Sequence, residues 1–127
     1  MKRLLNNQKY NDVSKQRIRF KEETIKATNQ GKALLNILRA TNPLDVTYPH
    51  LVEVAQMQYS QIKFISMQYD RLCLKTIKTI DESRLFGRIP QGFISDVYIE
   101  RDAVFSTIHK VMECLKNLNC KQELLNM

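Results

Sequence analysis

The sequence predicts an all-α fold, an antiparallel bundle of three long helices in one domain that spans residues 1–127. The chain contains only three glycines and three prolines, which is too few for the many tight turns of a strand-rich fold. The prolines fall in two places and divide the chain into three long segments, in which apolar residues recur at helical spacing. A chain of 127 residues is one ordinary domain that needs neither disulfides nor metal to bury a core.

The first segment covers residues 12–40 and follows a flexible basic arm at residues 1–11. Small residues lie in the middle of its apolar stripe, where a neighbouring helix can approach closely. Because glycine destabilises a helix by about 1 kcal/mol relative to alanine, Gly31 could instead divide the segment and make the bundle four-helical. We favour one long helix with a kink. The predicted buried stripe consists of Val13, Arg17, Phe20, Thr24, Ala27, Gly31, Leu34 and Leu38.

The second segment covers residues 49–82. Pro49 suits a first helical turn, where its missing N–H is not needed, and Thr47 or Tyr48 would cap the helix. Its apolar residues occupy so much of the circumference that we expect this to be the most buried helix. A helix of this length spans about 50 Å, which predicts that the chain self-associates. The stripe consists of Leu51, Ala55, Gln58, Ile62, Ile65, Tyr69 and Leu72, and apolar residues outside it are Met57, Phe64, Cys73, Ile77 and Ile80.

The third segment covers residues 95–120 and begins at Ser95, a favourable N-cap. The stretch before it contains two glycines and a proline, but no strand precedes it and no Gly-Lys-Ser/Thr follows, as a phosphate-binding loop would require. We therefore interpret this stretch as a connection between helices. Arg84 and Arg88 in it would form a secondary anion-binding site near the start of the third helix.

The net charge of +7 comes from the first third of the chain. Residues 1–40 carry ten Lys or Arg against three Asp or Glu, whereas residues 81–127 carry six against seven. Clustered positive side chains attract phosphate polyanions because each neutralised phosphate releases condensed counterions. The sequence thus predicts two outward basic ridges on the first helix, with a merely solvated face as the alternative. The predicted polyanion-binding residues are Lys15, Arg17, Arg19, Lys21, Lys26, Lys32 and Arg39.

The residues capable of chemistry form no catalytic or metal-binding motif. Asp102, Ser106, His109 and Glu113 share one polar stripe of the third helix, where parallel side chains do not converge as a catalytic triad must. We therefore expect no catalytic residue, no metal and no cofactor. The three cysteines lack a zinc or disulfide pattern, which predicts free thiols in a reducing, cytoplasmic compartment. No stretch has the ~20 apolar residues of a membrane span.

Two functions remain open from the sequence. The first is a non-enzymatic binding module whose basic first helix contacts nucleic acid or another polyanion without sequence-specific readout, since no nucleic-acid-binding motif is present. The alternative is a protein–protein adaptor or assembly subunit, an accessory protein that uses its apolar second helix. In that case Met57, Tyr59, Phe64 and Met67 would contact a partner chain, because methionine and aromatic residues are enriched at interfaces.

Overall fold

The computed structural model describes residues 2–84 and 92–118, with the side chains of residues 8–82 and 94–118. These residues form three α-helices that pack against one another: α1 (Lys2–Ala40), α2 (Tyr48–Arg84) and α3 (Gly92–Lys116). The two described ranges contain no β-strand. The predicted all-α bundle of three long helices is therefore confirmed.

Side-chain contacts between the helices indicate the directions in which the helices run. Lys9 near the start of α1 lies 3.9 Å from Glu82 near the end of α2, so these two helices are antiparallel. Tyr69 in the second half of α2 contacts Glu100 near the start of α3, so this pair is antiparallel as well. Arg17 also pairs with Glu100, and α1 and α3 consequently run parallel.

The helices differ from the predicted segments mainly at their N-termini. α1 begins at Lys2 rather than near residue 12, so the segment predicted as a flexible arm is helical from residue 2. α3 begins at Gly92, three residues before Ser95, and the prediction that Ser95 caps this helix is wrong. Gly31 lies inside an unbroken α1, which excludes the four-helix alternative at this position.

The connection between α1 and α2 is ordered by short polar contacts. The carbonyl oxygen of Thr47 accepts the N–H of Leu51 at 3.1 Å, which identifies Thr47 as the N-cap of α2. The carboxylate of Asp45 accepts the backbone N–H of Thr47 at 2.9 Å and its hydroxyl at 2.8 Å. These hydrogen bonds favour the ionised form and lower the pKa of Asp45.

Two apolar clusters form the core along the length of the bundle. Phe105 of α3 packs against both clusters, and Leu35, rather than the predicted Leu34, is the fully buried leucine in this part of α1. The cluster nearer the α1–α2 connection consists of Ala27, Leu35, Leu38, Tyr48, Val52, Ala55, Ile62, Ile108, Val111, Leu115 and Leu118. The other cluster consists of Tyr69, Cys73, Ile77, Ile80, Val97 and Val104.

The three helices pack closely together around Gly31. A Cβ atom at this position would lie 3.1 Å from Val111 Cγ1 and 3.2 Å from both Ile62 Cδ1 and Leu115 Cδ1. Side chains of α2 and α3 thus occupy the space that any larger residue would need. This close contact explains why a poor helix former is present in the middle of a 39-residue helix.

Buried threonines of the core satisfy their hydrogen bonds within the helices that carry them. The buried hydroxyls of Thr24, Thr28 and Thr76 each donate at 2.7 Å to the carbonyl oxygen four residues earlier. Gln58 of α2 instead donates through Nε2 to the Ala27 carbonyl oxygen of α1 at 2.8 Å. Because a buried donor without a partner is costly, this contact restricts the sliding of α2 along α1.

We predict that Gly31→Leu lowers the free energy of unfolding by about 2 kcal/mol, since the overpacking cost exceeds the gain in helix propensity. Ala33→Leu is the matched control, because Ala33 lies two residues later on the exposed side of α1 and should change stability by no more than about 0.5 kcal/mol. Chemical denaturation followed by circular dichroism measures both. Equal stability of the two variants would contradict close packing at Gly31.

Candidate functional site

The predicted basic ridges of α1 are only partly exposed to solvent. Four of the seven side chains are exposed and make no ion pair with another described side chain: Lys15, Lys26, Lys32 and Arg39. At about 100° per residue, the first two lie roughly 120° around the helix from the last two. A rigid, flat polyanion therefore cannot contact all four at once.

Arg17 and Lys21 share one carboxylate of α3 as their counter-charge. Arg17 is only 8 % exposed, and its Nε lies 3.3 Å from Glu100 Oε2. Lys21 Nζ lies 3.4 Å from the other oxygen of the same carboxylate. The prediction that Arg17 lies on an outward basic ridge is wrong, because the side chain turns into the bundle. Lys21 is half-buried and shares the same counter-charge.

The carboxylate of Glu100 also receives a hydrogen bond from α2. The hydroxyl of Tyr69 donates to Glu100 Oε2 at 2.9 Å, so one carboxylate joins all three helices. Burial, reinforced by hydrogen bonds to Cys73 and Glu100, raises the pKa of Tyr69 well above its ordinary value. Burial likewise raises the pKa of the Cys73 thiol. Both groups are therefore held protonated at neutral pH, and the Cys73 thiol is a poorer nucleophile than an exposed one.

A second ion pair lies beside this cluster, on the α2–α3 contact. The guanidinium of Arg101 donates to the carboxylate of Asp70, which raises the pKa of Arg101 further. The same guanidinium stacks over Phe105 at 5.5 Å from the ring centroid. On α1, Arg19 pairs with Glu23 at 3.3 Å and stays exposed. A third member of the predicted ridges thus has an acidic neighbour.

The predicted secondary anion site lies largely outside the described residues. Arg84 is the last residue of α2, and its side chain is outside the described set. Arg88 lies in residues 85–91, which the structure does not describe. The site at Arg84 and Arg88 therefore stays a prediction.

The outer side of α2 carries a row of exposed apolar side chains. Met57 is 71 % exposed and Phe64 64 %, and Met67 and Leu74 continue the row toward the end of the helix. We call these four residues the apolar row. Tyr59, which the adaptor hypothesis also places at a partner, instead packs against the core and is half-buried, so its assignment to an outward surface is wrong.

The polar stripe of α3 lies on an open surface. Asp102, Ser106, His109 and Glu113 are all exposed, and His109 Nε2 lies 3.3 Å from Glu113 Oε1 one turn away. A cleft of about 440 Å³ near the α1–α2 connection is lined by Glu113 and Cys114, but His109 is not among its lining residues. The four side chains lie on one open helix face, and no described side chain of another helix joins them to form a nucleophile–base pair.

Within the described residues, no three His, Cys, Asp or Glu side chains cluster closely enough to hold a metal ion. No described helix combines the length and apolar character that crossing a membrane requires. Comparison with protein-family models, with curated proteins and with solved structures found no match. The functional argument therefore depends on the residues of this chain alone.

Sequence reasoning missed two features of these surfaces. Leu74 belongs to the apolar row and lies seven residues after Met67, just as Phe64 lies seven residues after Met57. This seven-residue spacing is a local signal that would have predicted Leu74. Glu100 carries no such signal. It lies 79 residues from Lys21, and only the packing of α3 beside α1 brings the two charges together.

We predict that Glu100→Gln lowers the free energy of unfolding by about 3 kcal/mol, because it leaves the buried Arg17 charge without its partner. Glu113→Gln, which removes a carboxylate from an exposed pair, serves as control and should cost less than about 1 kcal/mol. Adding Arg17→Met to Glu100→Gln should recover part of the loss, since no uncompensated buried charge remains. Urea denaturation of the three variants measures these effects, and similar costs for the two Gln variants would contradict the role assigned to Glu100.

Stability should decrease as the pH rises above about 9. The ordinary pKa of a cysteine thiol is 9.0, and that of Cys73 is raised in the folded protein. Above pH 9 the unfolded chain therefore loses this proton while the folded chain keeps it, which favours unfolding by up to about 1.4 kcal/mol per pH unit. Tyr69 lowers stability in the same way above pH 10.0, the ordinary pKa of a tyrosine hydroxyl, because its own pKa is raised in the folded protein.

Denaturation curves between about pH 7.5 and pH 10.5 test this dependence. Cys73→Ala should reduce the slope near pH 9. Cys114→Ala should leave it unchanged, because Cys114 lies exposed on the surface rather than in the core. An identical slope in the wild type and in Cys73→Ala would show that the buried thiol does not contribute.

Proposed function

We propose that this chain is a non-enzymatic assembly or adaptor subunit that binds a protein partner through the outer side of α2. The single observation that carries this proposal is the apolar row, in which Met57, Phe64, Met67 and Leu74 are all between 47 % and 71 % exposed. Isolated exposed apolar residues are normal on a protein surface. Several in register along one helix indicate a surface that another chain covers.

The chemistry of the row suits protein recognition. Phenylalanine and methionine are enriched at the centres of interfaces, where they supply large contact areas, and methionine adapts its shape to a partner. Neighbouring polar residues such as Gln61 and Lys63 are exposed as well and lie beside the apolar residues as a hydrated rim. This arrangement resembles the usual anatomy of an interface, with an apolar centre and a polar edge.

Polyanion binding by α1 is the second candidate function. It is supported by the exposed and unpaired Lys32 and Arg39 on one side of α1 and by Lys15 and Lys26 on another. It is the weaker of the two, because acidic residues engage both ridges. Glu100 pairs with Arg17 and Lys21 on one ridge, and Glu23 pairs with Arg19 on the other. Substituting Arg17 with Glu would test stability rather than binding, since that side chain is buried beside an acidic residue.

A photo-crosslinking amino acid tests the two functions in one experiment. Placed at Met67 in the full chain and irradiated in an extract of the source cells, it should form adducts with protein that resist nuclease and persist at high salt. Unlabelled wild-type chain in excess should suppress these adducts, and a Phe64→Asp competitor should not, because a buried carboxylate opposes association. The matched control places the probe at Asn36, an exposed residue of α1 between Lys32 and Arg39.

The assembly proposal fails if Met67 gives no more protein adduct than Asn36, or if both competitors act equally. Adducts at Asn36 that disappear on nuclease treatment and at high salt would instead support the second candidate, because phosphate contacts weaken steeply with salt.

A further inference from the structure

We propose that the outer side of α2 binds the same surface of a second copy of the chain, with the two α2 helices antiparallel. This inference rests on the proposed function and names the partner for that surface. It follows from the order of apolar and charged residues along α2, which is complementary to itself when one copy is reversed.

The apolar row is part of a longer regular pattern. Starting at Glu53, exposed residues recur at steps of four and three over 26 residues of α2, a period of 3.5 that is typical of helices packed side by side in a coiled coil. All eight positions are exposed, and no described residue of α1 or α3 covers them. We call this set the α2 seam, and it consists of Glu53, Met57, Ser60, Phe64, Met67, Arg71, Leu74 and Lys78.

Reversing one copy brings matching residues together along the whole seam. With a two-fold axis between Phe64 and Met67, Phe64 of each copy faces Met67 of the other, and Met57 faces Leu74. At the two ends Glu53 faces Lys78, so opposite charges meet twice. The remaining layer places the hydroxyl of Ser60 opposite Arg71, a polar pair in which the guanidinium can donate. Such a two-fold interface uses one surface twice.

The parallel alternative is electrostatically unfavourable. In register, two parallel seams would place Glu53 against Glu53, Arg71 against Arg71 and Lys78 against Lys78. Like charges directly opposite each other lower affinity and select against that arrangement. The charges along the seam therefore favour the antiparallel orientation, while the apolar residues by themselves fit both.

Charges beside the seam also favour the antiparallel orientation. Lys63 and Asp70 are seven residues apart and flank the seam on one side, so that the antiparallel arrangement places Lys63 of each copy opposite Asp70 of the other. Asp70 already accepts a hydrogen bond from Arg101 within its own chain, and a carboxylate can accept further donors. This flank faces α3, and it adds two opposite-charge contacts to those at the ends.

The extent of the seam suits a moderate affinity. The 26 residues from Glu53 to Lys78 span about 38 Å, and one helix face of that length lies near the lower end of standard interface size. We therefore expect dimers to form and dissociate over micromolar concentrations, so that charge variants shift a measurable equilibrium.

Light scattering and sedimentation of the purified full-length chain test the inference between about 1 and 200 µM. The wild type should approach twice the chain mass of 14.9 kDa. Glu53→Lys and Lys78→Glu should each weaken dimerisation about tenfold, since each places like charges at both ends, and the double variant should restore it. Phe64→Asp should weaken it at least about thirtyfold, as expected for the loss of a central interface residue.

Glu22→Lys is the matched control, because it makes the same charge change at an exposed position of α1 and should leave dimerisation unchanged. Two weakened single variants with no recovery in the double variant would overturn the antiparallel arrangement. A chain that stays monomeric, while the Met67 probe still captures a different protein in the competition experiment, would overturn self-pairing and leave the assembly function standing. A monomer with no specific adduct would remove both.

Discussion

The position of the Glu100 carboxylate is the constraint on which the electrostatics of this bundle depend. It forms ion pairs with Arg17 and Lys21 of α1 and accepts a hydrogen bond from Tyr69 of α2. Because a buried guanidinium without a counter-charge is costly, α1 must present Arg17 to α3. This requirement fixes the rotation of α1 about its own axis. In that orientation Lys15 and Lys26 face solvent, and they are among the positive side chains that remain available to a partner.

The same packing explains why α2 keeps an uncovered apolar surface. Its neighbours α1 and α3 cover one side, where Ala55, Ile62 and Tyr69 are fully buried. The apolar residues of α2 extend around more of the circumference than two neighbouring helices can cover, so Met57 and Phe64 are left outside. The functional proposal follows from this mismatch between the width of the apolar surface and the number of helices in the chain.

Periodicity predicted the interior well and the candidate site poorly. The stripe of α3 predicted from Val97, Val104 and Ile108 is buried, since repeats of three and four residues depend only on helix geometry. The basic site failed at Arg17, which belongs both to the buried stripe of α1 and to the predicted ridge. A single helix viewed alone gives no means to decide between these assignments, because the answer depends on whether a neighbouring helix supplies a carboxylate at that level.

The sequence by itself determined three long helices, a cap for α2 at Thr47 or Tyr48 and the main apolar stripe that each helix buries. These features depend on residues that are close together in the sequence, so the order of those residues is enough to predict them. The tertiary structure alone decided that Glu100 pairs with both Arg17 and Lys21, that side chains of α2 and α3 pack closely against Gly31, and that Phe64 lies exposed while Tyr59 packs inward. Such outcomes depend on the rotation and register of one helix against another, which are set by the packing of residues that lie far apart in the chain.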